Sequence, residues 1–293
     1  MELRHIRYFI AVAEEGNFTR AAARVGIGQP PLSQQIRDLE QEVGAELFRR
    51  IPQGAVLTEA GQAFLERVRA MPDMAREAAD EARRAGRGET GVLRVGFTGA
   101  AALNPIVSGT IRKFGERWPS VALILREGNS GGLATDLLES RLDIAFLRPG
   151  ATPALGLAMH PLPEEPMIAG LPLHHPLAKA RAREIRLADL RDEPFVLTSR
   201  SVGPTVYDTV MDSARQVGFE PILGQVAPQL VSVMILVAAG LGVSLVPESM
   251  RQLAIAGATY RRLSDVAPVA RLALATTTAN PSAAAGNFLR LCV

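Results

Sequence analysis

Two helical patterns lie between Phe18 and Val43, and only Gly26-Ile27-Gly28 joins them. That spacing is the plan of a helix-turn-helix pair. Upstream, Leu3, Ile6, Phe9, Ile10 and Ala13 recur at three- and four-residue steps, which predicts a helix over 2–15 with one buried face. Gly16 stops it, and Asn17 is a good cap for the next helix. The run Ala21-Ala22-Ala23 lets a neighbouring helix approach closely. The third helix starts at Gln29-Pro30-Pro31, where proline is accepted because first-turn N–H groups have no partner within the helix.

Leu32, Ile36, Leu39 and Val43 form the apolar stripe of the third helix and leave Gln29, Pro30, Ser33, Gln34 and Arg37 on the other side. Glutamine pairs bidentately with adenine edges, and a helix N-terminus holds a phosphate. Residues 47–58 read as a β-wing with Pro52-Gln53-Gly54 at its tip, and Arg49 and Arg50 beside it are placed to grip phosphates. The candidate DNA contacts are therefore Gln29, Pro30, Pro31, Ser33, Gln34, Arg37, Arg49, Arg50 and Gln53. Spacing alone leaves a second reading open, an α-helical interaction domain with a solvated polar face.

The segment from Met1 to Arg50, followed by Leu57-Thr-Glu-Ala-Gly61, resembles without gaps the winged helix-turn-helix of LysR-type transcriptional regulators. The resemblance implies binding to double-stranded DNA at a palindromic operator. Met1-Glu-Leu-Arg-His5 and Gln29-Pro-Pro-Leu-Ser33 look most like the branch that controls aromatic-acid and catechol catabolism. Two positions depart from the family. Gly28 stands where Ser or Thr is frequent, which removes a side-chain cap at a cost of about a few tenths of a kcal/mol. Gln34 stands where Arg is common, so a neutral amide replaces a guanine- or phosphate-type contact, and an altered operator preference is expected.

Thr58 is placed to cap a long helix running to about Arg87. Its small or apolar positions, Leu57, Gly61, Phe64, Val68, Met71, Ala75, Ala78, Ala82 and Ala85, alternate steps of four and three, the seam of a two-helix coiled coil. The alternative is a single helix lying on a core. Pro72 falls inside this pattern and predicts a kink or local opening. Beyond it the seam is all alanine, so partner helices would approach closely but hold weakly. Dimerisation would set two recognition helices about one DNA turn, or a multiple of it, apart.

Gly86-Arg-Gly-Glu-Thr-Gly91 reads as a hinge-like linker. After it, strands at 92–97, 121–125 and 142–147 alternate with helices at 102–117 and 132–140. A second set follows, with strands near 166–171, 195–198, 222–226 and 243–246 and helices near 204–217 and 229–239. Strands separated by helices imply parallel sheets with covered faces, here in two α/β subdomains with a cleft between them. The order resembles the periplasmic-binding-protein type II effector domain of the same family, most clearly in Leu142-Asp-Ile-Ala-Phe-Leu147 and Val237-Ala-Ala-Gly-Leu-Gly-Val-Ser-Leu-Val-Pro247. The chain is expected to cross back near Pro268, so that the C-terminal helix completes the first subdomain.

Such a cleft meets strand ends and helix starts. Matching family positions to this chain gives Thr98, Gly99, Ala100, Ser130, Arg148, Ser199, Pro204 and Thr205 as effector contacts. Hydroxyls and helix N-terminal N–H groups favour an anion. Arg148 reads equally as a charge-assisted partner or as a solvated loop residue. The aromatic-acid branch tends to carry a hydroxyl near Gly99, which this chain lacks. The expected effector is a small carboxylate, either an aromatic acid or a muconate-like diacid.

One motif argues for chemistry instead. Gly128-Asn-Ser-Gly-Gly132 fits the G-x-S-x-G elbow, which would make Ser130 an esterase nucleophile. A triad in the required order has only Ser130, Asp143 and His160, which is cramped. His174-His175-Pro176 reads as a solvated turn and Glu164-Glu165 as a solvated loop. A third reading is a solute-binding protein without DNA binding; an exported one needs a signal peptide, and Met1–Ile10 lacks the apolar stretch. With 32 basic and 30 acidic residues, any nucleic-acid site must be local. The single Cys292 excludes an internal disulfide, no cluster has zinc spacing, and no apolar run is long enough to span a membrane.

The sequence thus predicts an α/β protein with an all-α head. Residues 1–58 form a winged helix-turn-helix, 59–88 a dimerising linker helix and 91–293 an effector domain. That domain divides into subdomain I (91–162 and 268–293) and subdomain II (163–267). A cytoplasmic bacterial regulator is expected, not an enzyme, with no cofactor or metal. The resemblance further implies a homotetramer and contact with RNA polymerase.

Overall fold

Three helices open the chain, α1 (Leu3–Glu15), α2 (Phe18–Val25) and α3 (Gln29–Val43). The computed structural model describes residues 1–150, 155–179, 183–279 and 281–292, in two units, Met1–Arg84 and Ala85–Val293. Asn17 caps α2 by accepting from the N–H groups of Thr19 and Arg20. Ile6, Phe9, Val12, Ala21, Ala22, Leu32, Ile36 and Leu39 bury their side chains in one core. Strands β1 (Phe48–Ile51) and β2 (Gly54–Leu57) pair antiparallel as a wing. A Cβ at Gly54 would collide with the Gly16 carbonyl oxygen, which accepts from Ala55 N–H at 2.8 Å. The wing is thereby pinned to the end of α1.

The expected single linker helix is two helices, α4 (Glu59–Val68) and α5 (Met71–Gly86). Pro72 lies in the first turn of α5, where its missing N–H costs nothing. The first half of the heptad seam turns inward. Val68 is buried, Phe64 meets Phe9 edge-on at 5.0 Å, and Gly61 lies against the Leu47 carbonyl. These residues complete the head core, so the single-helix-on-a-core reading holds for α4. The other half, Met71, Ala75, Ala78, Ala82 and Ala85, is exposed, and α5 buries no residue.

The second unit begins with β3 (Gly91–Phe97), α6 (Pro105–Arg117), β4 (Val121–Glu127), α7 (Ser130–Leu138) and β5 (Ile144–Leu147). It continues through β6 (Leu157–Pro161), β7 (Glu165–Pro172), α8 (Pro176–Lys179), β8 (Glu184–Ile185), β9 (Pro194–Thr198), α9 (Pro204–Gln216), β10 (Ile222–Ala227) and α10 (Leu230–Ala238). It closes with β11 (Ser244–Pro247), β12 (Ala258–Leu263), β13 (Val269–Ala270), β14 (Ala273–Thr277) and α11 (Ala283–Cys292). One sheet has the order β4-β3-β5-β14-β6, and the other β11-β7-β12-β8 with β13 on β7. Strands β9 and β10 form a parallel pair, linked to the β11 side by a bridge from Phe195 to Val243.

The sheets are mixed rather than parallel. Strands β3, β4 and β5 run parallel, whereas β14 is antiparallel to β5 and β6, and β7 to β11, β12 and β13. The chain crosses between the sheets twice, and a strand arriving from the other sheet enters from the opposite end. The two crossing segments lie side by side: Leu162 N–H donates to Leu272 O and Met167 N–H to Pro268 O, at 3.0 and 2.8 Å.

The segment after α5 is not a loose hinge. Gly88 is buried with φ 68°, and a Cβ there would collide with the backbone of Ala284. The Asn287 amide donates to the carbonyls of Arg87 and Gly88 at 2.8 and 3.2 Å, clamping this segment onto α11. Among the described residues, no helix is long and apolar enough to cross a membrane.

Candidate functional site

In the head, Pro30, Pro31, Gln34 and Arg37 are exposed on α3, and Gln29 is half-buried. Gln34 is already paired, accepting from Arg37 at 2.6 Å and donating to Asp38 at 2.7 Å. Ser33 departs from expectation: it is buried at 5% exposure and takes a 2.9 Å hydrogen bond from the Gln29 amide. Its position next to Leu32 in the stripe turns the small side chain toward the core. Gly28 caps α3 without a side-chain bond. Arg49, Arg50 and Gln53 are exposed on the wing, and the Arg50 guanidinium lies over the Phe18 ring at 5.3 Å.

In the second unit a cleft is lined by Thr98, Gly99, Ala100, Ser130, Arg148, Pro204 and Thr205, all anticipated, and also by Glu127, Asn129, Thr198, Val202 and Gln229–Val231. Helices α7, α9 and α10 all start on its wall, so three positive dipole ends converge there. Thr98 Oγ1 accepts from Ala101 N–H at 3.3 Å. Ser130 Oγ accepts from Arg148 N–H at 3.2 Å, which leaves its own proton to donate. Thr205 Oγ1 donates to Pro149 O at 2.6 Å and retains only acceptor capacity.

Ser199 is not on the cleft wall. Its hydroxyl pairs with Ser201 at 2.9 Å, one residue past the end of β9. The strand alternation brings Thr198 to the wall instead, buried and with Oγ1 beside Gly203 at the start of α9. Sequence reasoning also missed Glu127, although it ends β4 two residues before the cap of α7.

Arg148 is neither solvated nor satisfied. It is 8% exposed, donates from Nη1 to Arg271 O at 3.2 Å, and has Nη2 3.6 Å from Glu165 Oε1. Its Nε and Nη2 have no hydrogen-bond partner among the described residues. Burial pushes its pKa down, opposed by the Glu165 charge. The guanidinium stays cationic, because arginine does not deprotonate in proteins. Glu165, read as a solvated loop residue, is half of this buried pair and accepts from Ser249 N–H and Oγ at 3.3 Å each. Its Glu164 neighbour pairs with Arg271 at 2.9 Å. His175, also read as solvated, is buried and meets Glu193 at 3.1 Å.

Residues 3–62 match the profile described as bacterial regulatory helix-turn-helix protein, lysR family, and residues 86–293 match the LysR substrate binding domain. The chain belongs to the LysR family. Its LysR relatives include the uncharacterized HTH-type transcriptional regulator YnfL of Escherichia coli, 42% identical over 86% of this chain and 84% of that protein. AlsR of Bacillus subtilis is 39% identical over 91% and 87%, and BudR of Raoultella terrigena 37% over 99% and 100%. Among solved structures, the LysR regulator CbnR is 26% identical with a TM-score of 0.85, covering 100% of both chains. CbnR in complex with its target DNA scores 0.83 at 26% identity, covering 100% of this chain and 98% of that one.

This LysR chain is thus a DNA-binding transcriptional regulator with an effector-binding domain, and not an enzyme. The Ser130 hydroxyl is engaged by a backbone N–H, and Asp143 is committed to Arg94 through contacts of 2.7 to 3.1 Å. Among the described residues, neither is hydrogen-bonded to a histidine. Among the described residues, no group of His, Cys, Asp and Glu is arranged to hold a metal.

Proposed function

We propose that this regulator senses a small monocarboxylate in the cleft and that the bound anion alters how its DNA-binding heads engage an operator. The observation that carries the reading is Arg148: a buried cation with two nitrogens lacking hydrogen-bond partners, on the wall of a cleft where three helices begin. Leaving such donors unmet costs about 1–3 kcal/mol each, more for a charged group, and an oxyanion relieves it. The Ser130 hydroxyl adds a donor. Val202, Leu230 and Val231 offer an apolar bed for the ligand's body, aromatic or aliphatic. Glu127 adds a negative charge to the wall and weighs against the muconate-like diacid.

Arg148 also reaches the two crossing segments, through the Arg271 carbonyl and through Glu165. An anion that draws the guanidinium toward the cleft would change the angle between the subdomains. In a homotetramer, that change would alter the spacing of paired heads, DNA bending and contact with RNA polymerase. Self-association is supported by α5, which buries nothing, because an isolated helix of this length is marginal in water. It is also supported by β4 and β10, ends of their sheets carrying exposed Ile124, Leu125, Ile222, Leu223 and Val226. Exposed apolar edges of this kind call for a cover.

On the DNA side, Gln29, Pro30, Pro31, Gln34 and Arg37 form the reading face of the major-groove helix, and Arg49, Arg50 and Gln53 hold the backbone. The expected setting is the bacterial cytoplasm. The test is fluorescence anisotropy with DNA from upstream of the protein's own gene against a scrambled duplex, with benzoate and aliphatic monocarboxylates added. Preference for the upstream DNA that shifts with a carboxylate supports the reading, and indifference to every carboxylate contradicts it.

A further inference from the structure

Glu127 gives this cleft a second charge. Its side chain is exposed on the cleft wall and makes no hydrogen bond or ion pair with the described residues. Its Oε1 lies against Gly99, where an added Cβ would stand 2.5 Å away and push this flexible side chain aside. Val231, in the first turn of α10, lies across the same glycine, 3.7 Å from that Cβ position. The missing side chain at 99 therefore does more than remove a hydroxyl. It lets the Glu127 carboxylate rest close to the backbone that follows β3, across from Val231.

Resting on the carboxylate reading above, we propose that the ligand is a zwitterion, an α-amino acid with an apolar side chain. Its carboxylate lies on Arg148 and Ser130 and its ammonium on Glu127. A plain monocarboxylate would gain the Arg148 contact but suffer repulsion from Glu127 in the same small cleft. An ammonium group removes that repulsion and adds a charge-assisted hydrogen bond. Glu127 ends β4 and Ser130 starts α7, so the two groups sit on either side of one short turn in the cleft wall. Val202, Leu230 and Val231 are left to hold an apolar side chain.

The test is calorimetric titration of the full chain with three sets of probes. These are L-leucine and L-phenylalanine, their counterparts without the amine (4-methylpentanoate and 3-phenylpropanoate), and those without the carboxylate (3-methylbutylamine and 2-phenylethylamine). The wild type is expected to bind at least one amino acid roughly tenfold to a hundredfold tighter than its amine-free acid, the worth of a hydrogen bond to a charged group. Glu127→Gln, an isosteric change at an exposed side chain, should bring that ratio close to one. Gly99→Ala should do the same by displacing the Glu127 carboxylate.

If the amine-free acids bind the wild type as well as the amino acids, or Glu127→Gln leaves the ratio unchanged, the zwitterion is wrong and the carboxylate reading stands. If the amines bind as well as the amino acids, or Arg148→Met leaves amino-acid binding intact, the carboxylate reading fails instead. If no probe binds, both fail.

Discussion

Nη2 of Arg148 stands 3.6 Å from Oε1 of Glu165, close enough to pair in charge and too far to share a hydrogen bond. The two residues belong to different sheets: Arg148 follows β5 in one, and Glu165 opens β7 in the other, just past the first crossing. The ion pair therefore ties the two sheets together, and under the proposed function an incoming anion would compete for it. Removing one partner of such a pair strands the other charge. Glu165→Gln should lower stability by roughly 3 kcal/mol, read as the denaturant midpoint. It should also tighten carboxylate binding, because the competing carboxylate is gone. A variant with unchanged stability and unchanged affinity would remove this pair from the mechanism.

The wing arginines differ in what they touch. Arg49 is exposed and lies over no aromatic ring among the described residues, whereas Arg50 lies over Phe18. Arg49→Ala should weaken binding to operator and random DNA alike and reduce the salt slope by about one counterion. Arg50→Ala should do the same and also cost about 0.5–1 kcal/mol of head stability from the lost cation–π contact. Anisotropy across a salt series, with thermal melts of both variants, separates the two effects. A loss confined to one operator base would contradict the phosphate role.

Ser33 and Gln34 are adjacent in sequence and part company in space. Ser33→Ala should cost about 1 kcal/mol by removing the buried acceptor that holds Gln29, with operator preference affected only through Gln29. Gln34→Arg should shift the preferred base at one position with little change in stability. Selection of binding sites from a randomised duplex pool reads the preference directly. An identical consensus for the wild type and Gln34→Arg would take Gln34 off the reading face.

The exposed apolar edges of β4 and β10 are the surfaces proposed above for self-association. Ile124→Glu together with Val226→Glu places charges on both exposed edge strands, β4 and β10, and touches no buried residue. Sedimentation velocity should show a smaller species than the wild type, with near-native secondary structure by circular dichroism. A wild-type sedimentation coefficient in the double variant would show that these edges are not covered by a second copy.

Much of the architecture was legible because it is local. Gly16, Gly26 and Gly44 end their helices in the left-handed conformation, with Asn17 capping between two of them, and each is a signal within a few residues. What could not be read depends on distant partners. Strand Ala273–Thr277 is an alanine- and threonine-rich stretch that becomes a central strand only because β5 and β6 flank it. The linker seam had the right period, but period does not say which partner fills it, and Phe9 and Leu47 in the head claim its first half. The same reasoning applies in the cleft. Family positions led to Ser130 and Arg148, but the burial of Arg148 depends on Glu165 and Arg271, far along the chain. Thr198 replaced Ser199 by a one-residue strand phase that sequence patterns do not fix.

The central claim is that an anion at Arg148 governs DNA binding. It is tested most directly by anisotropy of the upstream duplex with the wild type and Arg148→Met, each titrated with the carboxylate or amino acid that binds the wild type. The account predicts that the ligand shifts the wild-type DNA affinity and leaves the variant's unchanged, while both proteins bind the duplex comparably without ligand. An equal ligand-induced shift in Arg148→Met would contradict it.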